Sequence, residues 1–323
     1  MISSGNRAAL FTLLITAFGI LCIPLDLLLS IRERRLISSA AVTPARPAIF
    51  VCGPARSGTT LVFQVLCRHL DVSYLQNITV LFPRSPILAS RIYRRLFGLR
   101  KNSSDYYQNY YGKTNGLNGP SEANHIWNRW VQPDATGFRT ILSAAGAQEA
   151  ARFFSAFGEI DRKAIVSKNN NMNVFADVIA TAMPNAFIIC LRRSPEFLAQ
   201  SLLQARRDMH GSVSQGYGVQ NVEDGAAVSD PIASVSSQVT FLNRKARELL
   251  SLVGEDRFWM VDYEEFCRDP GKLVADLSKK LAIPMVTSGP GSAIAPIETR
   301  NVVRDQAEIE LIRRELGSTG GME

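Results

Sequence analysis

The sequence predicts an α/β fold: a P-loop-like parallel sheet with helices on both faces, preceded by a single N-terminal transmembrane helix. Three observations predict it. Short apolar runs alternate with longer stretches of helical periodicity, the pattern of strands buried in a parallel sheet. The first of these runs opens into Gly53-Pro-Ala-Arg-Ser-Gly-Thr-Thr60 and then into a helix, the arrangement of an anion-binding loop. Ahead of both lies Ala8–Leu29, apolar apart from Asp26 and long enough to cross a bilayer.

The apolar segment is read as a retained anchor rather than a cleaved signal. It is long for a signal, and Arg32–Arg35 separate it from the small residues Ser38–Ala41. Residues 8–29 are thus the expected anchor, 32–47 a linker rich in Ala, Ser and Pro, and 48–316 one globular domain. Arg32, Arg34 and Arg35 outweigh Arg7 across the span. The positive-inside rule then favours a cytoplasmic over a lumenal catalytic domain, in a single-pass membrane protein. The glycosylation triplets at Asn77 and Asn102 point weakly the other way.

Ala48–Cys52 is a buried strand by its continuous apolar character, and Leu61, Val62, Val65, Leu66 and Leu70 give the next segment a helical stripe. Arg100–Gly119 has no sustained period and reads as a long loop, with Tyr106, Tyr107, Tyr110, Tyr111 and Lys113 in it. Ser121–Trp130 is an expected helix capped by Ser121, followed by a helix over Gln148–Ile160. A strand over Ala164–Ser167 ends at Lys168, and a helix over Val174–Met183 stops at Pro184. Then come a strand at Ala186–Leu191, helices at Pro195–Arg207 and Gln238–Val253, a strand at Phe258–Val261 and a helix at Pro270–Leu281.

The bulk composition excludes some classes. The net charge of +7 is partly local, since five arginines up to Arg46 meet only Asp26 and Glu33. What remains suits an anionic ligand and forms no nucleic-acid-binding stripe. The five cysteines are odd in number and contain no CxxC pair, which gives neither a disulfide framework nor a zinc site.

The chemistry concentrates in the loop. Its glycines let backbone N–H groups close around an anion at the start of a helix, Arg56 adds a fixed charge, and Ser57, Thr59 and Thr60 add hydroxyls. Thr59 follows Gly58 where a nucleoside triphosphatase carries the lysine that serves the terminal phosphates. The strand at Ala186–Leu191 ends in Arg192-Arg193, not in a magnesium-binding carboxylate. Metal-free transfer assisted by basic side chains fits this set better. Strand alternation puts Arg192 and Arg193 on opposite sides.

These residues resemble the sulfotransferase family, in particular its membrane-anchored and bacterial branch with an Arg-Ser-Gly-Thr-Thr loop. The resemblance spans about Ala48 to Pro284. It implies that Arg56, Ser57, Gly58, Thr59 and Thr60 bind the 5′-phosphosulfate end of 3′-phosphoadenosine 5′-phosphosulfate (PAPS). It further implies that Arg193, with Ser201 eight residues on, grips the 3′-phosphate, and that Lys168 lies near the transferred sulfuryl group. Tyr263 and Glu264 match a family pair read as structural. The co-substrate is then PAPS, with no metal expected, and the acceptor is a hydroxyl on a carbohydrate, a glycolipid or another small molecule. The remaining partner is the membrane, through the N-terminal helix.

The resemblance fails at one point. Several family members carry a catalytic Glu shortly after the first helix, where this chain has Tyr74-Leu-Gln-Asn-Ile-Thr79. The substitute bases are Glu122 and His125, three apart and so on one face of the expected helix. Two other readings stay open: a P-loop kinase or nucleotidase using ATP or GTP, and a non-catalytic membrane protein that keeps the fold.

Overall fold

The computed structural model describes residues 4–42, 45–98, 109–110, 113–114, 116–221, 230–286 and 294–318, with the side chains of the first helix described from Gly19 onward. Five parallel strands form the central sheet in the order β2-β7-β1-β8-β9. They are β1 (Ala48–Cys52), β2 (Val72–Ser73), β7 (Ala164–Lys168), β8 (Ala186–Arg192) and β9 (Phe258–Asp262). β1 lies at the centre, paired with β7 on one side and β8 on the other.

Both faces of β1 are buried, and its alternation divides the core. Ile49 and Val51 pack with Val62, Phe63 and Leu66 of α2 (Thr59–His69) and with Leu273 and Leu277 of α10 (Pro270–Leu281). Phe50 and Cys52 pack with Trp127 and with Phe153, Phe154 and Phe157 of α5 (Ala144–Asp161). The Phe50 ring meets those of Trp127 and Phe154 edge-on, at centroid distances of 5.9 and 5.1 Å. On this second face lie also α6 (Ala176–Ala182) and the C-terminal half of α8 (Pro231–Val253). A satellite core joins α7 (Pro195–His210), α8 and α11 (Gln306–Ser318) through Leu198, Leu202, Val239 and Ile312. All five cysteines are free thiols.

Helix starts carry their own explanations. Ser143 accepts from the Gly146 N–H, Asp230 from that of Ile232 and Asp269 from that of Lys272. Asp230 and Pro231 start α8 seven residues before the expected Gln238. Several elements lie outside the expected set, among them β2, α11, α3 (Pro86–Phe97) and an antiparallel hairpin of β5 (Val131–Pro133) and β6 (Arg139–Leu142). In the expected loop after Arg100, β3 (Asn109–Tyr110) pairs with β4 (Lys113–Thr114). Tyr106, Tyr107, Tyr111 and Asn102 lie outside the described residues, as do the side chains of Tyr110 and Lys113.

The N-terminal expectation is corrected. Helix α1 runs from Ser4 to Ser39, so the stretch read as a linker from Arg32 is helical for its first two turns. Among the described residues no helix is long and apolar enough to cross a membrane, which overturns the single-pass membrane protein and the orientation derived from it. The side chains give the physical reason. Asp26 and Glu33, two turns apart, face the domain and are buried, while Leu21 and Leu28 stay exposed. Asp26 accepts from the Ser85 hydroxyl at 2.7 Å and from the Arg84 N–H. Glu33 accepts from the N–H groups of Ile87 and Leu88 at 3.2 and 2.9 Å, the first turn of α3. A carboxylate at a helix N-terminus satisfies donors that have no partner within the helix. The sequence charge at position 26 thus marks a docking contact.

Burial pushes the Glu33 carboxyl up to about 7, against the pull of its two backbone donors and of Arg129. A raised carboxyl binds its proton more tightly in the folded chain, so its contribution is complete below the unfolded value and is lost as pH rises through about 7. Chemical denaturation should show wild-type stability falling by roughly 3 kcal/mol more than that of Glu33→Gln over this window. Parallel curves for the two proteins would refute the assignment.

Candidate active site

The loop Gly53–Thr60 leaves the carboxyl end of β1 and enters α2, at the edge where open parallel sheets collect ligands. Its glycines are required by space as well as by backbone angle. A side chain at Gly53 would stand 2.7 Å from the Leu191 carbonyl, and one at Gly58 would run into the Tyr263 ring. Both have positive φ, 138° and 98°, and Arg56 shares that region at 72°. The left-handed turn at Arg56 brings its guanidinium toward α7, where Nε donates to the Ser201 hydroxyl at 3.2 Å.

Above the loop opens a cleft of about 1620 Å³, larger than a drug-sized ligand needs. Arg56, Gly58, Thr59, Thr60, Glu122, Arg193 and Ser201 line it. Ser57 does not: its side chain is fully buried beneath the loop, with no partner for the hydroxyl, and its N–H donates to the Pro54 carbonyl. Thr59 donates to the Asn170 side chain at 2.8 Å, which ties the loop to the turn after β7.

Arg192 and Arg193 part at the end of β8. Arg192 forms a two-pronged pair with Asp262 at 2.8 and 3.1 Å, whose hydrogen bonds raise its basicity. Arg193 turns inward over the Tyr263 ring and donates to the carbonyls of Arg56 and Arg300 and to the Asn301 side chain. Burial lowers its pKa, although Tyr263 and Glu264 act against this. Tyr263 also accepts from the Arg300 N–H through its hydroxyl, and Glu264 accepts from Ser194 and Asn301. Burial would raise the Glu264 carboxyl, but these donors hold it below its ordinary value. The pair therefore fastens the extended segment 294–304 over the sheet edge, and that segment brings Arg300 and Arg304 to the cleft. With Arg139, five arginines line the wall, against two carboxylates among the described residues, Glu122 and Glu298. That balance suits a polyanion.

Lys168 ends β7 in register with Val51. Its side chain has no exposure and is not part of the cleft wall. It is ion-paired with Glu122, which does reach the cleft and is 21% exposed.

The two candidate bases separate. The helix expected over Ser121–Trp130 is only α4 (Asn124–Trp127), and Ala123 before it takes a left-handed φ of 49°. That residue breaks the three-residue spacing. Glu122 stays outside the helix and enters the cleft, while His125 points away and donates from Nε2 to the Thr79 carbonyl at 3.2 Å. Burial lowers the His125 pKa, the Thr79 carbonyl opposes this, and Arg129 reinforces it. Of the two candidate bases, Glu122 lines the cleft and His125 does not. Asn77 is also away from the cleft, its amide donating to the carbonyls of Thr114 and Gly116 at 3.0 and 2.8 Å.

Several cleft residues lay outside the sequence reading. Tyr217, half-buried between Gly216 and Gly218, lines the cleft with Arg56 and Glu122, and burial raises its hydroxyl pKa. Only the Gly-Tyr-Gly string hinted at it. Asn128, Asn170, Asn171, Gln215, Gln220 and Asn221 give the rest of the wall an amide character.

A sulfotransferase family model matches residues 47–287. No curated protein sequence matches the chain. Among solved structures, a sulfotransferase from Mycobacterium avium superposes with a TM-score of 0.51 at 15% identity, covering 89% of this chain and 71% of its own. A sulfotransferase from Mycobacterium tuberculosis gives a TM-score of 0.46 at 17% identity, covering 90% of this chain and 83% of its own. At such identities the first likeness speaks for the fold alone.

Proposed function

The chain belongs to the sulfotransferase family, and from that premise we propose that it moves the sulfuryl group of PAPS to an acceptor hydroxyl on a carbohydrate or glycolipid. The observation that carries this reading is the convergence of Arg56, Arg193 and Ser201 beside a glycine loop, in a cleft whose charge is dominated by arginine. A donor with phosphate at both ends of its ribose needs two anion sites at that separation of roles. The loop N–H groups, Arg56, Thr59 and Thr60 take the 5′-phosphosulfate, and Arg193 with Ser201 takes the 3′-phosphate. Ser57 serves by shaping the loop from beneath.

In the transfer, the acceptor oxygen approaches the sulfur in line with the bridging oxygen of the donor. Charge grows on that bridging oxygen as the bond breaks, and preorganised donors from the loop, Arg56 and Lys168 stabilise it. Glu122 takes the acceptor proton, because it is the carboxylate of the cleft wall that is paired with Lys168. The amide-lined half suits a polyhydroxyl acceptor, since each Asn or Gln both donates to and accepts from hydroxyls.

Calorimetric titration separates this reading from nucleotide kinase chemistry. Adenosine 3′,5′-bisphosphate is expected to bind at least about a hundred-fold more tightly than ATP, without magnesium. Preference for ATP with magnesium would refute the reading.

A further inference from the structure

The cation assigned to the sulfuryl group does not face the cleft. Lys168 is wholly buried, and its ammonium is met by the Glu122 carboxylate through Oε1. The other carboxylate oxygen accepts from the Asn124 amide at 3.2 Å. Glu122 is partly exposed on the cleft wall, so it stands between Lys168 and the space above the loop. The backbone on either side of it is tied down. The Ser121 N–H donates to the Leu75 carbonyl at 2.8 Å, and the left-handed Ala123 donates to the Ser121 hydroxyl. Movement there is left to the Glu122 side chain.

A buried ammonium cannot stand without an anion, because the unpaired charge is strongly unfavourable in a poorly solvated site. Two anions can serve Lys168 from the cleft side: the Glu122 carboxylate and the sulfuryl oxygens of the donor. We infer that Glu122 is the resident counter-ion of Lys168 and that the donor's sulfuryl group displaces it, so that the base is uncovered only once the donor is seated. This rests on the PAPS reading above and adds a binding order to it. While paired, the carboxylate is held against the ammonium. Once displaced, it stands free beside the acceptor hydroxyl. The hydroxyl proton then passes to Glu122, the acceptor oxygen bonds to sulfur, and the bond from sulfur to the bridging oxygen breaks. Its electron pair leaves on the 5′-phosphate of adenosine 3′,5′-bisphosphate. The order is therefore donor first and acceptor second.

Glu122→Gln keeps the side-chain shape and removes the competing charge. It is expected to bind PAPS about five-fold or more tightly than wild type, while its affinity for adenosine 3′,5′-bisphosphate, which has no sulfuryl group, changes little. Its turnover should fall by about a hundred-fold or more, as for loss of a general base. In a Lys168→Met background the same change should leave PAPS affinity unaltered, which separates competition for Lys168 from a general loosening of the loop. Equal or weaker PAPS binding by Glu122→Gln, with wild type binding PAPS normally, overturns the exchange and leaves sulfuryl transfer standing. Failure of wild type to bind PAPS overturns both.

Discussion

Lys168→Met is expected to slow single-turnover sulfuryl transfer by about a hundred- to a thousand-fold while leaving the affinity for adenosine 3′,5′-bisphosphate nearly unchanged. Methionine fills similar space, so the packing at the end of β7 is retained while the charge is lost. The ammonium acts on charge that develops as the bridging bond breaks, so its loss falls on the chemical step. The partner left behind, Glu122, reaches solvent and tolerates the loss of its cation. Rapid-quench measurement with radiolabelled PAPS, beside a melting curve, checks this. A variant that transfers at the wild-type rate would remove Lys168 from the mechanism.

The second large effect lies at the other end of the donor. Arg193→Ala should weaken binding of adenosine 3′,5′-bisphosphate by about two orders of magnitude, because a charge-assisted pair to the 3′-phosphate is lost. Adenosine 5′-phosphosulfate, which lacks that phosphate, should bind wild type and variant alike. The variant should also be about 2–3 kcal/mol less stable, since the Arg56 and Arg300 carbonyls and the Asn301 side chain lose their donor. An unchanged preference for the 3′-phosphorylated ligand would move that site away from Arg193. The contrast with Arg192, taken up by Asp262 on the outer side, makes Arg192→Ala the natural control.

The elements buried in the sheet were the legible ones. β1, β7, β8 and β9 are short, mainly apolar runs, and each lies within a residue of its expected limits. The loop was legible for the same reason, since glycine, arginine and hydroxyl spacing is local. Failures came where a distant contact decides. Asp26 read as an imperfection near the end of a membrane span, but its partners, Arg84 and Ser85, are nearly sixty residues away in sequence. No periodicity shows such a contact. Glu122 and His125 share a helical spacing in the sequence, and one left-handed residue, Ala123, sends them to opposite sides. Ser57 counted as a hydroxyl in the right string, yet the turn that lifts Arg56 into the cleft folds Ser57 under it. Tyr217 and the 294–304 segment belong to stretches without regular structure, where position in sequence says little about position in space.

The central claim is transfer of a sulfuryl group from a 3′-phosphorylated donor by residues at the end of β1, β7 and β8. Its most direct measurement is release of adenosine 3′,5′-bisphosphate together with radiolabelled sulfate ester from labelled PAPS, using a panel of carbohydrate and glycolipid acceptors. Wild type should transfer label in an acceptor-dependent way, matched one to one by released bisphosphate, and Lys168→Met should lose this transfer. Absence of transfer to every acceptor, from a folded protein that binds ATP in preference to adenosine 3′,5′-bisphosphate, would contradict it.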